Sequence, residues 1–176
     1  MEFARVVKRR RMCRGYLERD VSPEQVDRIL DLAARFPSAG HTQPQEFIVV
    51  RDQAVKDRLG RAALDQMFIA QAPVVIAVVS DTRRSATRYG SRGVDFYSVL
   101  DGGFASMLVL LAAVDTGLGA AFVAAFDDDA VREVLGLPRR VRPIGLIAIG
   151  YCAQRADRHE RRARTEIIHA ERWSGR

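Results

Sequence analysis

The sequence has few cysteines, almost no lysine, no asparagine and no long apolar run. Its longest apolar stretch, residues 104–114, falls well short of the roughly 20 residues that a membrane-spanning helix needs. The first five residues include a glutamate and no apolar stretch, which is not typical of a secretory signal. From these absences we predict a cytoplasmic protein that has no membrane span.

The only two cysteines, Cys13 and Cys152, stand far apart and form no CxxC pair. This excludes the spacing that is typical of zinc sites and of thioredoxin-like redox motifs. The histidines, His41, His159 and His169, have no neighbouring residues at ligand spacing. We therefore predict no metal site and two free thiols, which is the usual state of cysteine in a reducing cytoplasm.

Standard catalytic motifs are missing as well. The sequence has no GxSxG, HExxH or P-loop motif. The glycines of 117–119 follow an apolar helix and precede a strand, which is the reverse of the order in a dinucleotide-binding turn. The aspartates of 127–129 begin a predicted helix, where their charge interacts favourably with the helix dipole. No side chain is thereby indicated as a catalytic group.

The residue in excess is arginine. Lys and Arg together number 28 against 22 Asp and Glu, a net charge of +6, and Lys8 and Lys56 are the only lysines. Two clusters contain many of the arginines: an N-terminal arginine cluster, residues 8–14, and a C-terminal arginine cluster, residues 155–164. Guanidinium groups bind phosphate through paired hydrogen bonds, so a phosphate site, a nucleic-acid surface and a solvated face are all possible. Nucleic-acid binding is the least favoured, because only Tyr16 adds an aromatic ring to the first cluster.

Periodicity predicts one layered domain of the α+β or α/β class over residues 1–176. Apolar spacing, caps and β-branched runs predict helices at 2–8, 23–36, 52–64, 101–116 and 128–135, and buried strands at 47–50, 73–79, 120–126 and 144–149. Asp101 is expected to cap the fourth helix, which is apolar all round and so belongs in the core or a subunit interface. The arginine-rich segment 81–93 has no period and is predicted to be a mobile loop or lid.

Ordered motifs cover nearly the whole chain. They are RRMCRGY at 10–16, PSAGHTQP at 37–44, APVV at 72–75, DG at 101–102, GLG at 117–119, FD at 126–127, LGLP at 135–138, GY at 150–151 and IIHAERW at 167–173. In this order and spacing they resemble the nitroreductase family of FMN-dependent oxidoreductases. The resemblance implies an α+β fold, a three-layer α/β/α domain with a mostly antiparallel central sheet. It also implies an interlocked homodimer with FMN at the subunit interface.

The resemblance assigns residues to both ends of FMN. The residues that match the phosphate-binding motifs are Arg10, Arg11, Met12 and Arg14 near the N-terminus, and Arg161 near the C-terminus. The residues that match the ring-binding motifs are Pro37, Ser38, Ala39 and Gln43 in a loop from the partner subunit, Gln66 at the pyrimidine edge, and Val123, Ala124 and Ala125 along the isoalloxazine, with the Ala125 backbone near the reactive N5. Three positions depart from the family pattern: Met12 replaces a serine, His41 an asparagine and Ala125 a glycine.

The implied reaction is a ping-pong hydride transfer from NAD(P)H through the flavin to a nitroaromatic, a quinone or a similar electrophile, without a catalytic side chain. One alternative is an enzyme like the flavin-destroying dimethylbenzimidazole synthases, suggested by residues 122–127. Met12 argues against it, since those enzymes carry an aspartate there. Another alternative is a non-catalytic flavin or deazaflavin binder. Tyr89, Tyr97 and Phe126 either pack in the core or line a pocket above the flavin.

Overall fold

The computed structural model describes residues 1–153 and 160–174 of the chain. In these residues a four-stranded antiparallel sheet in the order β1-β2-β4-β3 forms the centre of the fold. The strands are β1 (Gln45–Val50), β2 (Val74–Asp81), β3 (Gly119–Val123) and β4 (Val141–Gly150). The helices are α1 (Phe3–Arg9), α2 (Pro23–Ala33), α3 (Gln53–Ala62), α4 (Phe68–Gln71), α5 (Thr82–Arg92), α6 (Ser98–Asp115), α7 (Asp128–Leu135) and α8 (Arg164–Ile167).

Both faces of the sheet are covered. Along β2, Val74, Ile76 and Val78 belong to one buried apolar cluster with side chains of α2 and α6. The alternate residues, 75, 77 and 79, belong to a second cluster with side chains of α3, α4 and α7. Successive side chains of a strand point to opposite faces, so the apolar run of β2 contributes to two cores. The predicted three-layer arrangement is confirmed.

Helix α6 packs against the sheet through one face. Ala105, Val109 and Ala113 are fully buried in the first apolar cluster. The stretch 82–115 is long and apolar enough to cross a membrane, but 56% of its most apolar window is buried inside the protein. We therefore describe α6 as a core helix. It begins at Ser98, so Asp101 lies inside the helix and the prediction that Asp101 caps it is wrong.

The segment predicted as a mobile loop or lid is a helix, α5, so that prediction is wrong as well. The Asp81 side chain caps α5 by accepting a hydrogen bond from the Arg83 N–H at 3.1 Å. The backbone N–H of Thr82 donates to the Arg140 carbonyl at 3.0 Å, which ties the start of the helix to the chain just before β4. Few residues of α5 are apolar. The helix is stabilised by its cap and by polar contacts rather than by an apolar stripe, so apolar spacing does not predict it.

The segment 12–17 runs beside the sheet. The Cys13 N–H donates to the Ala120 carbonyl at 3.0 Å, and the Leu17 N–H donates to the Tyr151 carbonyl at 2.8 Å. This places Cys13 beside Cys152, and the two form a disulfide whose Cα atoms are 6.0 Å apart across 139 residues of sequence. The prediction of free thiols is wrong, because the pairing depends on how an N-terminal segment docks on the edge of the sheet.

Tyr16 fastens the same segment to the sheet. Its hydroxyl lies 2.6 Å from the Cys13 carbonyl and 3.0 Å from the Ala148 carbonyl in β4. Burial raises the pKa of Tyr16 far above its ordinary value. The hydroxyl therefore stays protonated and available as a donor, which holds the chain that follows the N-terminal arginine cluster in a defined position.

Candidate functional site

Three contacts bring the N-terminal arginine cluster, the turn 63–67 and the end of β3 together. The Phe122 N–H points at the Met12 Sδ at 3.5 Å. The Arg14 guanidinium lies over the Phe68 ring, 5.8 Å from its centroid. On the other side of the turn, the Gln66 Nε2 donates to the Ala125 carbonyl at 3.2 Å. Residues that are more than 100 positions apart in sequence thus form one surface.

The turn 63–67 has an unusual backbone that aims Gln66. Leu64 and Asp65 both have positive φ, 57° and 59°, a region that few residues other than glycine adopt. The Gln66 Nε2 also donates to the Ala63 carbonyl at 2.9 Å, so the amide is held at both the turn and the end of β3. Strained backbone of this kind is concentrated at functional sites.

The end of β3 differs from the prediction. The strand ends at Val123, not at residue 126. Val123 is buried in the second apolar cluster, whereas Ala124 and Ala125 leave the sheet and are exposed. Their backbone is therefore open to a ligand, and the carbonyl of Ala125 is within reach of Gln66. Phe126, next along the chain, is partly buried and packs on the second apolar cluster.

The guanidinium groups of Arg10 and Arg11 differ in their hydrogen-bond partners. The Arg11 Nη1 donates to the Lys8 carbonyl at 2.9 Å and to the Arg10 carbonyl at 2.8 Å, so this guanidinium binds carbonyls at the end of α1. The Arg10 Nη1 is buried and has no hydrogen-bond partner in residues 1–153 and 160–174. A buried charged donor without an acceptor is costly. Arg10 therefore suits an anion that supplies the missing acceptor.

The loop that precedes β1 lies on α5 and α6. Gly40, His41 and Gln43 all have positive φ, between 46° and 57°. A Cβ at Gly40 would push on the Tyr89 hydroxyl and the Arg88 side chain, which would have to move, and the positive φ itself disfavours any other residue. Tyr89 itself packs edge to face on Tyr97, with the ring centroids 4.8 Å apart.

Three side chains of the long helices hold this loop. The Ala39 N–H points at both carboxylate oxygens of Asp101, at 3.1 and 3.2 Å. The Arg88 Nη1 donates to the Gly40 carbonyl and the Arg84 Nε to the Thr42 carbonyl, each at 3.1 Å. Burial raises the pKa of Asp101, and the Ala39 N–H partly offsets that rise.

The predicted site residues therefore fall into three groups. Met12, Arg14, Gln66 and Ala125 make the contacts that join the arginine cluster to the turn and to the end of β3. Arg10 and Arg11 precede Met12 in the chain, Ala124 is exposed beside Ala125, and Val123 is buried. Those in the loop on α5 and α6 are Pro37, Ser38, Ala39 and Gln43, with the Gln43 N–H donating to the Ser38 Oγ at 3.0 Å. Arg161 is exposed just before α8, and the arginines at 155 and 158 lie outside the described residues.

Sequence reasoning missed the contacts of α5 and α6 with the loop. From the sequence, Asp101 is predicted only as a helix cap and as part of the DG motif. A signal was present, since Asp101 shares a helix face with Ala105 and Val109, which are fully buried, whereas the other acid of α6, Asp115, is its last residue. A carboxylate on the buried face of a helix needs a specific partner. Which N–H would meet it could not be read from the sequence.

Comparison with known proteins identifies the family. Residues 7–71 and 66–151 match the sequence model described as the nitroreductase family. The chain belongs to the nitroreductase family. It is 31% identical over 178 residues to a provisionally named NADH dehydrogenase/NAD(P)H nitroreductase of Archaeoglobus fulgidus, covering 98% of this chain and 99% of that one. It is also 31% identical to the FMN reductase [NAD(P)H] of Bacillus subtilis, covering 93% of this chain and 71% of that one.

Solved structures agree with this assignment. A nitroreductase family protein from Streptococcus pneumoniae superposes with a TM-score of 0.88 at 28% identity, covering 97% of this chain and all of that one. The chain therefore has the nitroreductase fold, as the ordered motifs predicted, and it is an oxidoreductase. The roles of individual residues toward FMN stay predictions.

Proposed function

We propose that this protein binds FMN and uses NAD(P)H to reduce a small electrophile such as a quinone or a nitroaromatic, the two substrates occupying one site in turn. The observation that carries the proposal is the buried Arg10 Nη1 without an acceptor among the described residues. Arg10 stands two residues before Met12, whose sulfur faces the Phe122 N–H of β3. A phosphate supplies the acceptors that Arg10 lacks. Membership of the family supports flavin as the group to which that phosphate belongs.

The residues present fit FMN. Arg10 and Arg14 would hold the phosphate, with Arg161 as a further cation. The Gln66 amide would meet the pyrimidine edge, and the exposed backbone of Ala124 and Ala125 would face the ring. When bound, FMN supplies a centre that accepts a hydride from a reduced nicotinamide and passes it to the acceptor. The side chains of this protein bind and orient the reactants, and none of them needs to transfer a proton to perform that role.

A homodimer is part of the proposal. Large apolar side chains are exposed on α1, on the outer face of α6 and near the C-terminus, among them Phe3 at 73%, Phe104 at 43% and Trp173 at 80%. On α6, Leu100, Phe104 and Met107 are all exposed and stand three or four residues apart, so they share one face. Contiguous exposed apolar faces of this kind are typical of contact surfaces. A second copy of the chain would cover them. It would also bring the loop 37–43 of one subunit to the arginine surface of the other.

The first test is the cofactor. Purified protein should show flavin absorption with about one FMN per subunit, identified by mass spectrometry after denaturation. It should oxidise NAD(P)H with menadione or nitrofurazone, and initial rates should give parallel double-reciprocal lines. Arg10→Ala combined with Arg161→Ala should lose the flavin while the far-ultraviolet circular dichroism is unchanged. Arg58→Ala is the matched control, since Arg58 is exposed on α3 and pairs with Glu133.

Two outcomes would overturn the proposal. One is a colourless protein that takes up no added FMN. The other is stoichiometric FMN in the double variant, because the phosphate would then be held elsewhere. A deazaflavin released in place of FMN would keep the site and change the cofactor.

A further inference from the structure

Asp101 is a carboxylate in an unfavourable place. It is only 2% exposed, in the part of α6 that packs against the sheet. Its neighbour Gly102 lies directly against Ile144 of β4, with no room for a side chain. The helix therefore approaches the sheet closely here, which fixes the position of the Asp101 backbone.

The partners of Asp101 do not account for its burial. Among the described residues its hydrogen bonds come from one donor, the Ala39 N–H. A buried carboxylate loses much of its hydration free energy, and one N–H returns only part of that. An apolar residue in place of Asp101 would therefore cost the fold little stability. What the carboxylate adds is the hydrogen bond to the Ala39 N–H.

The loop that contains Ala39 needs an anchor. Three of its residues have positive φ, and two of them, His41 and Gln43, are not glycine. Such conformations cost free energy and persist only when the surroundings hold them. Arg84 and Arg88 also bind the loop, but both side chains are exposed, and exposed contacts of long charged side chains contribute little. Asp101 is the buried contact of the three.

We propose that Asp101 is a positioning residue that holds the loop Ser38–Gln43 in the conformation that covers FMN in the partner subunit. The first half of this proposal, that Asp101 holds the loop, is a property of the protein without FMN. The second half, that the loop covers FMN, rests on the proposed function. The two halves can therefore be tested separately.

Hydrogen exchange tests the first half on the cofactor-free protein. In Asp101→Asn, peptides that cover 38–43 should exchange at least about tenfold faster than in the original protein, since a neutral amide accepts a weaker hydrogen bond than a carboxylate. The matched control is Asp115→Asn, about 20 Å along the same helix at 1.5 Å per residue. Asp115 pairs with Arg28 and the N-terminus, and its replacement should leave the loop unchanged.

A double-mutant cycle tests the second half. Ala39→Pro removes the N–H donor, and the backbone allows it because Ser38 is extended and Ala39 begins a short helical turn. Each single substitution should raise the FMN Kd about tenfold and change the visible circular dichroism of the bound flavin. In the Ala39→Pro background, Asp101→Asn should have no further effect, because the contact is already gone.

The outcomes separate the two proposals. Unchanged exchange in Asp101→Asn overturns the inference, and so does a full additional loss of FMN affinity when both substitutions are combined. If Asp101→Asn does not fold, Ala39→Pro alone must speed the exchange and raise the Kd. If the original protein binds no FMN, the proposed function fails, and the exchange data alone decide whether Asp101 holds the loop.

Discussion

The two arginine clusters have similar compositions and different surroundings. In the N-terminal arginine cluster, Arg10 is partly buried with one unpartnered nitrogen, and Arg11 is bound to carbonyls at the end of α1. In the C-terminal arginine cluster, Arg161 and Arg162 are exposed, and Arg162 pairs with Glu166 one turn later. Water and salt screen exposed charges far more than buried ones. The same residue type should therefore contribute very different amounts to anion binding.

Replacing Arg10 should have the largest effect. Removing one partner of a buried ion pair costs about 3–5 kcal/mol, so Arg10→Ala should weaken FMN binding by roughly 1000-fold. Quenching of flavin fluorescence on titration of the cofactor-free protein measures this. Arg58→Ala should bind FMN like the original protein. A loss of less than tenfold for Arg10→Ala would place the phosphate elsewhere.

Opening the disulfide should have the next largest effect, on stability. Cys13–Cys152 closes 139 residues of chain, and a disulfide typically contributes about 2–4 kcal/mol to folding. Cys13→Ser with Cys152→Ser should lower the free energy of unfolding in urea by that amount. The original protein in dithiothreitol should behave in the same way. If reductant leaves its unfolding curve unchanged, the bond is not present in solution.

Arg161→Ala should weaken FMN binding by only about tenfold, because an exposed guanidinium is already solvated. The difference from the original protein should shrink further as salt is raised, while the deficit of Arg10→Ala should not. Titrations at low and high ionic strength would measure both. Equal losses for the two variants at every salt concentration would remove the distinction between the clusters.

Met12→Ser should have the smallest effect. It should strengthen FMN binding slightly and lower the thermal stability slightly. Met12 stands where the family usually has serine, and it is partly buried with its sulfur facing the Phe122 N–H. Serine would add a hydroxyl donor for the phosphate, worth about 1 kcal/mol, or roughly fivefold in FMN affinity. Loss of the packed thioether should lower the thermal midpoint by a few degrees. Weaker FMN binding in this variant would show that Met12 already serves the site.

Elements with strong local signals were predictable. The helix predicted from residue 23 is α2, which begins at Pro23 behind a capping box of Ser22 and Gln25. The apolar run at 73–79 predicts a buried strand, and β2 lies there. Helix α5 was missed because its stability comes from the Asp81 cap and from polar contacts with distant residues. The residues that the family resemblance assigns to FMN could be named from motifs, but their grouping could not.

The family, the layered α+β fold and the places where arginine concentrates could be inferred without coordinates, because they depend on motif order, apolar periodicity and composition. Which of these features act together depends on the packing of the folded chain. That packing buried the Arg10 Nη1 without an acceptor among the described residues, paired Cys13 with Cys152, and set Asp101 against Ala39. The physical reason is that burial and hydrogen-bond geometry arise from packing between segments far apart in sequence, and no local pattern records that packing.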